Sequence, residues 1–153
     1  MEARPKTRAC LFLPSEAETA ARFYVDSLPD SRIERVVRLP DGAALVVEFS
    51  LAGTPYMTMN GNPDMVSTHA FSISVLTEDQ AETDRLWHRL LDGGGEAGRC
   101  GWLRDRFGVH WQIVPQALPR LVSTGDAAAA RVHAALMDMT RIDITALEAA
   151  HAG

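Results

Sequence analysis

A chain of 153 residues, 46% hydrophobic and 23% charged, is long enough to bury one core and ordinary enough in composition to be globular. Its formal charge of -5 at pH 7, with no clustered run of Lys and Arg, argues against nucleic acid as a partner. The apolar stretch at residues 9–13 is too short for a signal-peptide core, and no run approaches the ~18 apolar residues of a membrane span, so a cytoplasmic location without membrane association is expected.

Taken in chain order, residues 9–13 read as a strand, Ser15 as a helix cap, and the segment from Ala17 to Pro29 as an amphipathic helix that the proline ends. Segments 32–39, 44–51 and 56–60 follow, separated by a Pro40-Asp41-Gly42 turn and a Gly53-Thr54-Pro55 turn; Asp-Gly between alternating segments is a strong hairpin signal. The same grammar then recurs. Sliding the chain by 64 residues sets Cys10-Leu11-Phe12-Leu13 over Ser74-Val75-Leu76-Thr77, and Ala17-Glu18-Thr19 over Ala81-Glu82-Thr83. An aromatic residue stands six positions after the alanine in both copies, Phe23 and Trp87.

In the second copy Thr77 or Glu78-Asp79 supplies the cap, Leu86, Trp87, Leu90 and Leu91 the apolar stripe, and Gly93-Gly94-Gly95 the stop. Short segments at 98–103 and 109–115 flank a turn at 105–108, which the Asp105 side chain is expected to cap. The Ala-rich remainder predicts three helices carrying Leu118, Leu121 and Val122, then Val132, Leu136 and Met139, then Ile144, Leu147 and Ala150. They form either a lid on the core or a dimer contact. The expectation is a single α+β domain of duplicated βαβββ modules, about 7–62 and 67–116, forming a curved mixed sheet around a cleft, with a C-terminal helical extension at about 117–153.

Strand parity sorts the side chains into core and cleft. Leu45, Val47, Phe49 and Leu51 share one side of their strand, so Glu48 faces the cleft with Ser50. A dry cleft would raise the pKa of Glu48 and make it a general base; the alternative is a pair with a nearby Arg. Val109, Trp111 and Ile113 are core by the same count, leaving His110 and Gln112 on the cleft face, and the candidate catalytic pair is Glu48 and His110. Ligand contacts are expected from Tyr56 and Thr58 on the fourth strand, Ser72 on the fifth, Cys100, Trp102 as a flat apolar wall, and Gln112. His69 has the wrong parity on the fifth strand and reads as a surface histidine. The two cysteines, Cys10 and Cys100, form no metal motif or disulfide framework. They are either small buried side chains or, at Cys100, a reactive thiol.

Ala20-Ala21-Arg22-Phe23-Tyr24, Val47-Glu48-Phe49, Phe71-Ser72-Ile73-Ser74-Val75, the block from Cys100-Gly101-Trp102 through His110-Trp111-Gln112-Ile113-Val114-Pro115, and Arg141-Ile142-Asp143-Ile144 together span nearly the whole chain. They resemble the PhnB-like branch of the vicinal oxygen chelate superfamily, labelled after a 3-demethylubiquinone-9 3-methyltransferase and related to glyoxalase I, bleomycin-binding and fosfomycin-resistance proteins. The resemblance implies the glyoxalase/bleomycin-resistance-like fold, a homodimer, and a cleft whose relatives hold a divalent metal. The family's ligand positions correspond to Arg4 or Lys6, to Thr68 or Ala70, and to Gln112. None is a strong ligand, so a metal-free small-molecule-binding protein is expected, with no cofactor beyond a weakly bound divalent metal. The alternative is a metal-assisted lyase, isomerase or dioxygenase using Glu48, His110 and Gln112. Methyl transfer is not expected. A methyl-donor site needs a Gly-rich turn after the first strand, whereas Gly93-Gly94-Gly95 follows a helix.

Overall fold

A computed structural model describes residues 4–153; residues 1–3, at the start of the segment that precedes the short apolar stretch at 9–13, lie outside the described residues. The chain divides between Ser67 and Thr68 into two compact units.

The first unit contains β1 (Ala9–Leu13), α1 (Ala17–Ser27), β2 (Arg32–Arg38), β3 (Ala44–Leu51) and β4 (Thr54–Asn60), with the sheet ordered β1-β4-β3-β2. The β1–β4 pair is parallel and the remaining pairs are antiparallel. Val47 and Phe49 are completely buried, as are Ala20, Ala21 and Tyr24 of α1, so the odd-numbered positions of β3 form the helix-packed face. At the β2–β3 turn Gly42 takes φ +86°, and Asp41 Oδ1 accepts the Ala43 N–H at 3.0 Å, as the Asp-Gly signal predicts.

Ser15 is not the cap of α1. Glu16 holds the N-cap position in the left-handed region without a side-chain cap, and Asn60 Oδ1 on β4 accepts the Ala17 N–H at 2.8 Å instead. The helix start is thus satisfied by a strand more than forty residues away, which no local reading of the sequence could reveal.

The second unit contains β5 (Ile73–Thr77), α2 (Gln80–Leu91), β6 (Glu96–Ala97), β7 (Trp102–Arg104), β8 (His110–Pro115), α3 (Ala117–Val122), α4 (Ala127–Met137) and α5 (Ile144–Ala152). Its sheet order, β5-β8-β7-β6, repeats that of the first unit, with β5–β8 parallel; β1 and β5 start 64 residues apart, as the duplication predicts. Asp79 caps α2 by accepting the Glu82 N–H at 2.8 Å, and Glu82 returns a carboxylate oxygen to the Glu78 N–H at 2.6 Å. Asp105 is buried. One of its oxygens accepts the N–H groups of Phe107 and Val109 at 2.8 and 3.0 Å, and the other accepts Trp111 Nε1 at 2.8 Å.

The three C-terminal helices pack Leu121, Val132, Ile142 and Leu147 into a core of their own. They are joined to the second sheet at the Cys100–Gly101 turn, where the two N–H groups donate to Met139 O and Thr140 O at 2.8 and 2.7 Å. Among the described residues no helix is long and apolar enough to cross a membrane.

Candidate functional site

Each sheet has one face packed against its helix and one turned away from it, and the candidate residues divide between the two. In the first unit β3–β4 register pairs Val47 with Thr58 and Phe49 with Tyr56. Cross-strand partners share a face, so Tyr56 and Thr58 lie on the helix side rather than among ligand contacts. Thr58 is fully buried and its hydroxyl donates to Ala17 O at 2.8 Å; Tyr56 stacks on Phe49 with ring centroids 5.8 Å apart. Thr58 and Asn60 together seat the start of α1.

Glu48 does face away from the helix, and of its two expected environments it takes the pair with Arg. Arg35 donates through Nε and Nη2 at 3.1 and 3.0 Å, and Arg4 Nη2 reaches both carboxylate oxygens at 2.6 and 2.8 Å. The Arg35 fork, with Arg4 beside it, holds the carboxyl below its usual range despite the upward push of burial. A carboxylate so held is a weak base: of the two expected environments Glu48 has the Arg pair, and its pKa is lowered where a dry cleft without that pair would raise it.

Arg35 reaches Glu48 because of a β-bulge. The register passes from Ile33–Phe49 to Arg35–Glu48, leaving Glu34 as the extra residue. Without that slip Arg35 would oppose Val47 and point toward α1. The bulge turns it onto the same face as Arg32, which pairs with Ser50. A cavity of about 540 Å³ results, lined by Arg4, Arg8, Arg32, Glu34, Arg35, Glu48 and Ser50 with Pro5, Gly53 and Pro55. Arg8 is largely buried; it pairs with Glu34 and donates to the Phe49 and Tyr56 carbonyls at 3.2 and 3.3 Å. Of these arginines the sequence reading singles out Arg4 alone, as one of two residues at a family ligand position; Arg8, Arg32 and Arg35 escape it. For Arg32 and Arg35 the signal is the run Arg32-Ile33-Glu34-Arg35-Val36-Val37-Arg38, whose three cations are spaced by three and not by the two of strand alternation.

In the second unit His110 is buried and stacks on His69, ring centroids 4.2 Å apart, with the Trp102 ring 5.9 Å from His69. All three line a small pocket of about 180 Å³ with Glu96 and Arg104. Gln112 pairs in register with Trp102 and donates its amide to Ser72 Oγ at 2.9 Å. His110, Trp102, Gln112 and Ser72 are therefore brought onto one face, and His69 joins them. His69 is exposed, as a surface histidine is expected to be, although the parity reason for that expectation does not hold because β5 begins only at Ile73. Residues 68–71 are a turn, closed by Thr68 O accepting the Phe71 N–H at 3.3 Å, and alternation does not apply there. For the same reason Phe71 is 43% exposed instead of lying under α2.

Cys100 lies apart from this group. Its backbone sits at φ +57° in the turn against the C-terminal helices, and its sulfur approaches Leu136 O at 3.5 Å.

The donor set does not fit a tightly held divalent metal. Arg4 brings a cation to the first position, Thr68 Oγ1 accepts the Ala70 N–H at 3.2 Å, and Gln112 presents an uncharged amide engaged with Ser72. Among the described residues no three His, Cys, Asp or Glu side chains stand close enough together to hold a metal ion.

Residues 5–114 match the family described as 3-demethylubiquinone-9 3-methyltransferase. Among solved structures the chain is similar to a PhnB protein of Bacillus cereus described by the same methyltransferase name, at 26% identity over 72% of this chain and 99% of that one, TM-score 0.67. It is also similar to protein PA1353 of Pseudomonas aeruginosa, at 20% identity over 73% and 98% of the two chains, TM-score 0.61. The fosfomycin resistance protein FosX of Mesorhizobium loti shares the fold, at 14% identity over 72% and 89%, TM-score 0.51. No curated protein matches.

Proposed function

Starting from a chain that belongs to the 3-demethylubiquinone-9 3-methyltransferase family, the PhnB-like branch of the vicinal oxygen chelate superfamily, we propose a small-molecule-binding protein without a tight metal site. One observation carries this reading. The carboxylate on the first sheet's helix-distant face, Glu48, is closed off by Arg35 and Arg4, so it is neither an available metal ligand nor a strong base. Gln112 supports it, being an amide already bonded to Ser72. The flat Trp102 ring beside paired imidazoles suits a small, partly polar ligand.

A second reading, a metal-assisted lyase, isomerase or dioxygenase, is favoured by one feature, the His69–His110 pair, which sets two nitrogen donors side by side. The experiment that separates the two is a thermal-unfolding series with Zn, Mn, Ni and Fe(II) on protein purified without chelator. No saturable stabilisation is expected of the wild type. Gln112→Glu, which adds a carboxylate on the face that carries His110, is expected to gain zinc stabilisation. Saturable stabilisation of the wild type by one of these ions would establish the second reading instead.

The protein is further proposed to be a homodimer, since Phe12 on edge strand β1 and Leu76 on edge strand β5 are 48% and 64% exposed. A monomer mass by light scattering would refute this.

A further inference from the structure

The cavity of the first unit carries more positive charge than its carboxylates neutralise. Four guanidinium groups, Arg4, Arg8, Arg32 and Arg35, line it against two carboxylates, Glu34 and Glu48, leaving an excess of two positive charges. Arg8 is matched by Glu34, while Glu48 is shared between Arg4 and Arg35. Arg32 has only a 3.8 Å approach to Glu34, too long for a hydrogen bond, and its side chain is 63% exposed. Each guanidinium carries five N–H donors, and most of those on Arg32 and several on Arg4 and Arg35 have no acceptor among the described residues.

A second observation points into the same cavity. Ser50 is 3% exposed, and its hydroxyl is the one buried side-chain polar atom among the described residues that lacks a hydrogen-bond partner. Buried hydroxyls are almost always paired, so an unpaired one in the wall of a cavity implies a partner that arrives from the cavity. It pairs in register with Arg32 and stands two residues along β3 from Glu48, among the excess cations.

We propose that this cavity binds a small molecule through a phosphate-type dianion. Two negative charges match the excess, and a tetrahedral oxyanion offers the several acceptors that forked guanidinium donors and one hydroxyl require. The cavity, at about 540 Å³, is much larger than the anion, so the rest of the ligand occupies it beside Pro5 and Pro55. The overall charge of -5 makes a polyanion such as nucleic acid a poor occupant and a single anionic group a suitable one. This rests on the reading of the chain as a small-molecule-binding protein and names the ligand's charged group.

The test is calorimetric titration of the full chain with inorganic phosphate and with phenyl phosphate at pH 7.5, in chelator, with chloride at matched ionic strength as the control. Saturable binding is expected for both, tighter for phenyl phosphate. Arg32→Gln should weaken phenyl phosphate binding about tenfold, the loss of a charge-assisted contact. Ser50→Ala should weaken it about fivefold while leaving the melting temperature of the unliganded protein unchanged or higher, since no internal hydrogen bond is removed. Three results would overturn the proposal: no saturable binding at tens of millimolar, wild-type affinity in both variants, or binding that needs added Mn(II). Competition by a 20-base-pair duplex would also overturn it, by replacing the small molecule with nucleic acid. The metal unfolding series uses chloride salts and no phosphate, so the metal-free reading and the anion site fail on separate measurements.

Discussion

The meander strands of the first unit run to seven, eight and seven residues, whereas those of the second have two, three and six. Strand order and parallel pairing are the same in both. In each, the face toward the helix is made of large apolar side chains, Val47 and Phe49 in one and Trp111 and Ile113 in the other, all completely buried. The faces turned away from the helices share nothing. Long strands with a bulge give the first unit rows of arginine around Glu48, while short strands and a turn give the second a His–His–Trp cluster beside an amide. Burial constrains one face of a duplicated sheet and leaves the other free to change its chemistry.

The comparison breaks most visibly if the second unit's buried carboxylate is removed. Asp105→Ala leaves two backbone N–H groups and the Trp111 indole N–H buried without their acceptor, and should cost about 4 kcal/mol in urea unfolding. A loss near zero would mean that water fills the place of the carboxylate. Next in size is Gly101→Ala. Gly101 sits at φ +83°, and a Cβ there would stand 2.7 Å from Ile113 O and 2.8 Å from Ile142 Cδ1, so a loss of about 3 kcal/mol is expected. Its counterpart in the first unit, Gly42→Ala, has φ +86° but open space around it, and only the backbone penalty of about 1 kcal/mol should be measured.

Thr58→Val keeps the shape and removes the hydroxyl bond to Ala17 O, for a loss of about 1 kcal/mol without any change in ligand binding. A ligand effect there would return Thr58 to the binding face. The smallest effect is a pH dependence. The folded pKa of Glu48 lies below its unfolded value of about 4.3, so its contribution to stability is full at neutral pH and fades as pH falls through the folded pKa. Between pH 5 and pH 3 the wild type should therefore lose more stability than Glu48→Gln; parallel curves would show that the two arginines do not hold the carboxylate in solution.

What the sequence revealed was what depends on neighbours along the chain. The repeat of strand and helix, the Asp41-Gly42 turn, the Asp79 cap and the core assignment of Trp111 all follow from spacing and side-chain chemistry over a few residues. The errors arose where distant segments decide. Asn60 replaces Ser15 at the start of α1, and the Glu34 bulge re-aims Arg35; the turn at residues 68–71, by contrast, is local, and it takes the exposed His69 out of strand alternation. Glu48 stands on the expected face and in one of its two expected environments, the pair with Arg, but local spacing does not identify the partners, a strand neighbour thirteen positions back and an arginine forty-four positions back. Tyr56 and Thr58 were assigned to the wrong face because parity within a strand says which residues alternate and not which alternate set meets the helix.

Helices α3 to α5 begin beyond the stretch, residues 5–114, that the family shares, yet the Cys100 and Gly101 amide hydrogens are held by carbonyls of Met139 and Thr140. Those two hydrogens are thus a built-in clock for the docking of the C-terminal segment. Exchange with deuterated solvent through detachment of that segment can be no faster than the rate at which it lifts away, and is slower in proportion to the docked fraction when re-docking is fast, so a single spectrum read over time reports how firmly this chain's own extension is attached to an inherited sheet.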